Sequence, residues 1–401
     1  MTIRIISFFL LFSITVLVAG AQSFTDAVKD GFKPLNELLA DDTRELTSNG
    51  GDGAQVVMVT LKDGTRYEGE LRRKKPHGKG YALYVNGDTY TGEFHKGKRH
   101  GKGLYRFSDG EWYEGEFKDD TQNGKGVFHF ADGKVYDGDW LSDYQHGNGR
   151  MDYPNGDFYV GAWAEDQRSG SGSYFFADGS SYSGEWKNDK YNGTGTFIWK
   201  DNSRYVGMWR NGRRNGEGTY TSADGVVFSG VWVHDFMGGE GVCRYTNGDV
   251  YEGMFKNSNM EGRGKYTYSD GSYYEGEFKN NMRDGRGRMV FVSGACYDGE
   301  WRGGQREGKG VYEWANGDKY EGYWKDDAMN GNGVLRKSNG ILYHGGFVAG
   351  KEHGAGVAVD EDGMRYEGTF HDGQRNGKFI VKDQDGKIVR ECVYHLGTLS
   401  K

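Results

Sequence analysis

Proline is nearly absent from this sequence, at 3 of 401 residues, and cysteine is as scarce, also at 3. Glycine is not: there are 69, yet glycine and proline together stay below the level that marks a low-complexity disordered chain. Disorder is excluded more firmly by the aromatics, which make up 15% of the residues (Tyr 28, Phe 22, Trp 10) despite a mean hydropathy of −0.81. Leucine, isoleucine and valine are too few for a large aliphatic core, and so much glycine is poor material for long helices. Whatever is buried must therefore be mostly aromatic. There is also no basic excess: 51 Lys and Arg are interleaved with 58 Asp and Glu, for a net charge of −7. That balance argues against a nucleic-acid partner and weakens the case for an anionic membrane.

Only one long apolar run is present. Arg4 precedes Ile5 to Val18, and Ala19-Gly20-Ala21 supplies the small residues of a signal-peptidase site. Residues 1–21 thus read as a cleaved secretory signal peptide, its apolar run short for a membrane span, with an uncleaved N-terminal anchor as the alternative. The expected destination is a periplasm, a cell envelope or the exterior.

The rest of the sequence is dominated by repetition. Tyr67-Glu68-Gly69 returns as Tyr90-Thr91-Gly92, Tyr113-Glu114-Gly115 and Tyr136-Asp137-Gly138, and so on to Tyr366, every step being 23 residues. Fourteen copies fill residues 67–388 without insertion or deletion. In the copy starting at Tyr113, Tyr113 to Phe117 alternates large, polar, small, polar, large, the period of a half-exposed strand. Lys118 to Asn123 reads as a polar loop, Gly124 to Phe130 as the returning strand, and Asp132-Gly133 as a two-residue type I′ turn into the next copy. Each unit is then a β-hairpin. The predicted fold is all-β: an elongated, twisted, single-layer antiparallel sheet, on the order of 135 Å long at about 4.8 Å per strand.

One face of that sheet gathers tyrosine, paired glycines and a Trp/Phe column, with glycine leaving flat backbone on which rings can lie. The other face carries Glu, Asp, Lys and Thr. Residues 22–66 are expected to cap the array through a short amphipathic helix, Phe24 to Leu39, and a half-repeat strand, Ala54 to Leu61. At the other end the motif decays between Phe379 and Leu396, and residues 389–401 are expected to form a cap strand.

The unit, Tyr-Glu-Gly-Glu-Phe followed by Gly-Lys-Gly and Asp-Gly, resembles the MORN repeat (membrane occupation and recognition nexus). Departures are local, such as Phe228 for tyrosine and Leu71 in the Trp/Phe column. The resemblance implies an elongated scaffold with an aromatic groove, in a family whose members often dimerise, bind proteins or associate with membranes. Its kinase- and methyltransferase-linked members have catalytic domains with no counterpart here, so no enzyme activity carries over.

No catalytic signature competes with that reading. Gly97 to Gly103 mimics a phosphate loop, but its first glycines are one residue too close and no Ser or Thr follows Lys102. His77, His100, His146 and His353 share one repeat position, and adjacent copies spaced about 10 Å apart cannot share a zinc ion. Cys243, Cys296 and Cys392 fall at different repeat positions too far apart to bridge within the chain. No metal or cofactor is expected. The aromatic columns remain, as core and as a candidate binding groove marked by Trp140, Trp163, Trp186, Trp209, Trp232, Trp301 and Trp324. The expected role is a non-enzymatic exported scaffold for a protein partner. A tether to phospholipid headgroups is the first alternative and an envelope glycan binder the second.

Overall fold

A computed structural model describes residues 56–400, in two compact units that divide after Ala131. The expected signal peptide and the helix at Phe24 to Leu39 lie outside the described residues. Every regular element among the described residues is a β-strand. The first unit comprises β1 (Val56–Thr60), β2 (Arg66–Arg72), β3 (Lys75–Leu83), β4 (Thr89–His95), β5 (Lys98–Arg106), β6 (Trp112–Lys118) and β7 (Thr121–His129). Each pairs antiparallel with the strand before it. β1 is the half-repeat strand expected from the sequence. The second unit opens with β8 (Val135–Leu141), β9 (Tyr144–Asp152), β10 (Phe158–Ala164), β11 (Gln167–Phe175), β12 (Ser181–Lys187) and β13 (Lys190–Ile198). The same alternation of seven- and nine-residue strands runs on to Gln374–Lys382, and Ile388–His395 and Thr398–Leu399 close the sheet.

The turns differ from the sequence expectation in an instructive way. Lys118 to Asn123 is not a loop: β6 and β7 are joined by Asp119-Asp120 alone, both in the left-handed region at φ 52° and 79°. This is the type I′ geometry, and Asp, Asn, Ser or Gly fills it in most copies because their short side chains tolerate positive φ. The Asn-Gly and Asp-Gly pairs make the other connection, which is not type I′. At Asn86-Gly87 the Gly87 N–H donates to the Tyr84 carbonyl at 3.0 Å, and the Tyr84 N–H to Asp88 at 2.9 Å. Only Gly87 has positive φ, so this is a three-residue loop, a type I turn completed by a left-handed glycine.

Register is broken once per hairpin. Gly92 faces Gly103, but the next pair is Phe94 and Arg99, so Glu93 stands opposite a bulge at His100-Gly101-Lys102. The extra residues lie on the returning strand, so Tyr90, Gly92 and Phe94 keep the plain alternation of their own strand on one face, and Arg99 is set opposite Phe94. There Tyr90, Tyr113, Tyr136, Tyr159, Tyr182 and Tyr205 are 0% exposed. Within each compact unit, most of the tyrosine rings meet edge-on the Trp/Phe of their own repeat and that of the next, as Tyr159 does with Trp163 and Trp186, both at 5.2 Å. Edge-to-face pairs contribute about 0.5–1.5 kcal/mol each beyond burial. The phenol is satisfied locally: the Tyr159 hydroxyl donates to the Ala162 carbonyl at 2.9 Å, and Tyr205 to Met208 at 3.0 Å.

The glycine pair makes room for this. A Cβ on Gly333 would lie 2.5 Å from the Tyr320 hydroxyl, and one on Gly322 would lie 2.7 Å from the Gly333 Cα. Neighbouring repeats are also stapled along both edges of the second unit. At one edge, Arg168 Nε holds Asp189 Oδ1 in the next turn at 2.9 Å, and Arg306 holds Asp327 likewise. At the other, Asp157 accepts the Ala177 N–H at 2.8 Å and the Tyr174 hydroxyl at 2.7 Å.

The C-terminal decay has a structural meaning. Phe379 replaces the second glycine of its pair, and its ring occupies the space over Gly368 that a tyrosine would take. Tyr366 is displaced and stacks on Arg375 at 3.6 Å, while Tyr394 closes on Phe379 edge-on at 5.3 Å.

Gly333→Ala should destabilise its repeat by about 1–3 kcal/mol, because the added methyl displaces Tyr320. Native-state hydrogen exchange should show faster opening at residues 320–347 and little change ten strands away.

Candidate functional site

The seven tryptophans of the expected groove are buried, between 3% and 6% exposed. Most are tied down by a hydrogen bond as well. The indole N–H of Trp186 donates to the Gly172 carbonyl at 3.0 Å and that of Trp301 to Gly287 at 2.9 Å; Trp163, Trp209, Trp232 and Trp324 do the same at 3.2–3.3 Å. Arginines lie over several of them: Arg168 over Trp186 at 4.5 Å, Arg214 over Trp232 at 4.3 Å, Arg283 over Trp301 at 4.2 Å and Arg306 over Trp324 at 4.3 Å. The tryptophan column is core, with a guanidinium over these four rings and Tyr191 beside Trp209 at 5.3 Å.

What solvent reaches is a different row, carried by the second strand of each hairpin and the residue just after it. In the second unit Tyr153, Tyr174, Phe176, Phe197, Trp199 and Tyr220 form an unbroken ladder of half-buried rings, with successive centroids 4.6–5.8 Å apart. The first unit holds a ladder of the same spacing, Tyr84, Tyr105, Phe107, Phe128 and Phe130, at 4.4–5.7 Å, in which Tyr105 and Phe128 are buried. Each ladder borders a shallow depression. One of about 270 Å³ is lined by Tyr84, Arg99, Tyr105 and Asp120 among others. Another of about 320 Å³ is lined by Arg168, Tyr174, Phe176, Asp189 and Tyr191. Rings thus form one wall and an Arg–Asp pair the other, a setting for an apolar side chain beside a polar backbone.

The sequence does carry a signal for this row. The aromatics alternate along the returning strand, but the larger Trp/Phe column draws the eye first. The opposite face of the second unit shows hydroxyl pairs, Ser173 with Ser183 at 2.8 Å and Thr219 with Ser229 at 3.0 Å, and ion pairs such as Lys382 with Glu367 at 2.8 Å. Cys243 and Cys392 are buried free thiols and Cys296 a half-buried one. No helix of the described residues is long and apolar enough to cross a membrane.

Comparison with known families decides the lineage. The MORN repeat model matches fourteen consecutive segments, beginning with 67–89 and 90–112 and ending with 343–365 and 366–378. The chain belongs to the MORN-repeat family. Its array is a repeat scaffold of the kind that binds proteins or membranes, and MORN-repeat proteins are generally non-catalytic. No curated protein matches the array. Among solved structures it is similar to the TCP domain of SAS-4 of Drosophila melanogaster, in complex with a proline-rich motif of Ana2. That match has 14% identity over 44% of this chain and 90% of the other, with a TM-score of 0.27. The TCP10 domain of Danio rerio CPAP matches at 13% identity over 60% and 98%, with a TM-score of 0.24.

Burial pushes the phenols of the MORN tyrosine column upward, those of Tyr205, Tyr251, Tyr320 and Tyr343 to about 12. A phenol whose ionisation lies above its unfolded value near 10 stabilises the fold at every pH below 10; that contribution is lost as pH rises through about 12. The array should therefore unfold cooperatively in alkali. Phenolate absorbance should rise together with the loss of sheet signal in circular dichroism, and not before it.

Proposed function

We propose that the chain is an exported, non-enzymatic scaffold that holds an extended segment of a partner protein against its row of half-buried rings. The observation that carries this is the unbroken ladder from Tyr153 to Tyr220 beside the Arg168–Asp189 pair. Rings spaced at 4.6–5.8 Å offer a continuous apolar strip, whereas the flanking ion pairs offer donors and acceptors to a peptide backbone. Export is supported by the apolar stretch Ile5 to Val18 and the small residues Ala19 to Ala21. The tryptophans support the ladder from beneath, and Trp186 also lines the depression beside it.

Binding to phospholipid headgroups is the second reading, favoured by family membership. Against it stand the net charge of −7 and the engagement of Arg99, Arg168, Arg214 and Arg306 with neighbouring aspartates, which leaves them poorly placed to meet phosphate. A glycan on the exposed rings is the third.

The test compares surface and core. Phe176→Ser with Trp199→Ser should abolish capture of partner proteins from an envelope extract while leaving the sheet signal in circular dichroism unchanged. Ser173→Lys, on the opposite face, should capture as the wild type does. Trp186→Ala should instead unfold its part of the array, at a cost of about 3–5 kcal/mol. Loss of capture through Ser173→Lys, with none through the ring variants, would contradict the proposal. Sedimentation with anionic vesicles at low salt and not at high salt would replace it with the lipid reading.

A further inference from the structure

Five of the ten histidines stand in two clusters that repeat one another. In the first unit His95, at the end of β4, lies between His77 and His100, with ring centroids 5.1 Å and 5.5 Å away. In the second unit His353 and His371 are 5.0 Å apart, and Asp372 Oδ atoms lie 3.7 Å and 3.6 Å from their Nδ1 atoms. His77 and His353 occupy one repeat position and His95 and His371 another, twelve repeats apart. The two pairs meet at the same interplanar angle, 46°. Histidine takes the strand-end position only at 95 and 371, and in both places the bulge of the preceding repeat also carries histidine. The spacing of about 10 Å read from the sequence holds for one column of histidines. It overlooks the strand-end ring that stands between two of its members.

A second observation singles out the same residues. Among the described residues, the shielded side-chain nitrogens and oxygens without a hydrogen-bond partner are the Nδ1 atoms of His77, His100 and His353. Buried polar atoms are almost always partnered, so three orphans confined to two equivalent clusters call for an explanation. Two imidazoles on one tetrahedral zinc ion, with Zn–N of about 2.0–2.1 Å, place each ring centre about 3.2 Å from the metal and the two centres about 5.2 Å apart. The observed 5.0–5.5 Å spans that value. As they stand, no three ligating groups already enclose an ion, so ring rotation and water complete the shell.

We propose that the two clusters are surface sites for a borderline divalent transition-metal ion of the zinc class. His77 and His95 supply the first, and their equivalents His353 and His371, with Asp372 beside both rings, the second; His100, one repeat on from His77 and about 10 Å from it, is too far to join the same ion. Imidazole donors select zinc, nickel or copper over the oxygen-seeking calcium and magnesium. Because the ligands come from the bulge of one repeat and the strand end of the next, the ion would tie successive hairpins together at the edge of the sheet.

The experiment is calorimetric titration of zinc chloride into the full mature chain, residues 22–401, after chelator treatment. Two ions per chain are expected, one after His95→Ala or His371→Ala and none after both. His129→Ala and His146→Ala should leave the count at two, and excess calcium should not compete. His95 and His371 are exposed, so these substitutions leave the fold intact, as circular dichroism would verify. Hydrogen exchange should slow at residues 75–101 when zinc is added and not in His95→Ala. Absence of binding, or binding that survives the double variant, would overturn the proposal.

Discussion

The structure depends on a tyrosine ring lying flat on a pair of facing glycines. Gly138 faces Gly149 across one hairpin, Gly184 faces Gly195 across another, and a ring from the preceding position of the first strand covers each pair. The ring loses its contact with water, its hydroxyl reaches a carbonyl three residues on, and its edges receive two further aromatic rings. A side chain larger than hydrogen at either glycine would lift the ring and break all three contacts together. This constraint accounts for the composition: an aromatic layer one ring thick needs a glycine floor, and neither aliphatic bulk nor disulfides are required to complete it.

Other features follow from holding that ring in place. The bulge opposite Glu93 lies on the returning strand and sets Arg99 across from Phe94. The type I′ turns at positions such as Asp119-Asp120 then aim an aspartate back at the arginine of the preceding repeat, and that arginine covers a tryptophan or phenylalanine. Each repeat is thus fastened to its neighbours by rings in the middle and polar staples at both edges. Stability is expected to be local and additive along the array. In the second unit the rings of the returning strand that form the ladder stay half-buried, which sets them apart from the buried tyrosine and Trp/Phe columns.

Much of this is legible in the sequence. A period of 23 residues without insertion, alternation around Tyr-x-Gly-x-Phe, and glycine pairs in register specify hairpins, their order and which face is aromatic. Three matters are not legible, for physical reasons. Asp119-Asp120 has no glycine to announce a type I′ turn, and Asp132-Gly133 has one while forming a different turn, because the two connections differ in the loop length that only the ladder register fixes. That Trp186 is buried while Phe176 stays half-buried is likewise hidden, since both are large aromatics on one face. The histidine clusters escape notice for a similar reason: their members come from different repeat positions, and columns read one at a time do not bring them together.

The most direct test of the ring-and-glycine account uses the one copy in the column that lacks the hydroxyl. Phe228 lies over Gly230 and Gly241 as its tyrosine counterparts do, with the Val231 carbonyl at the position where other copies accept the phenol. The stability of Phe228→Tyr, measured by hydrogen exchange across residues 228–255, should rise by about 0.5–1.5 kcal/mol as the new hydroxyl finds that carbonyl. A loss of stability there would mean that the glycine pair does not create a tyrosine-shaped site, and would contradict the account.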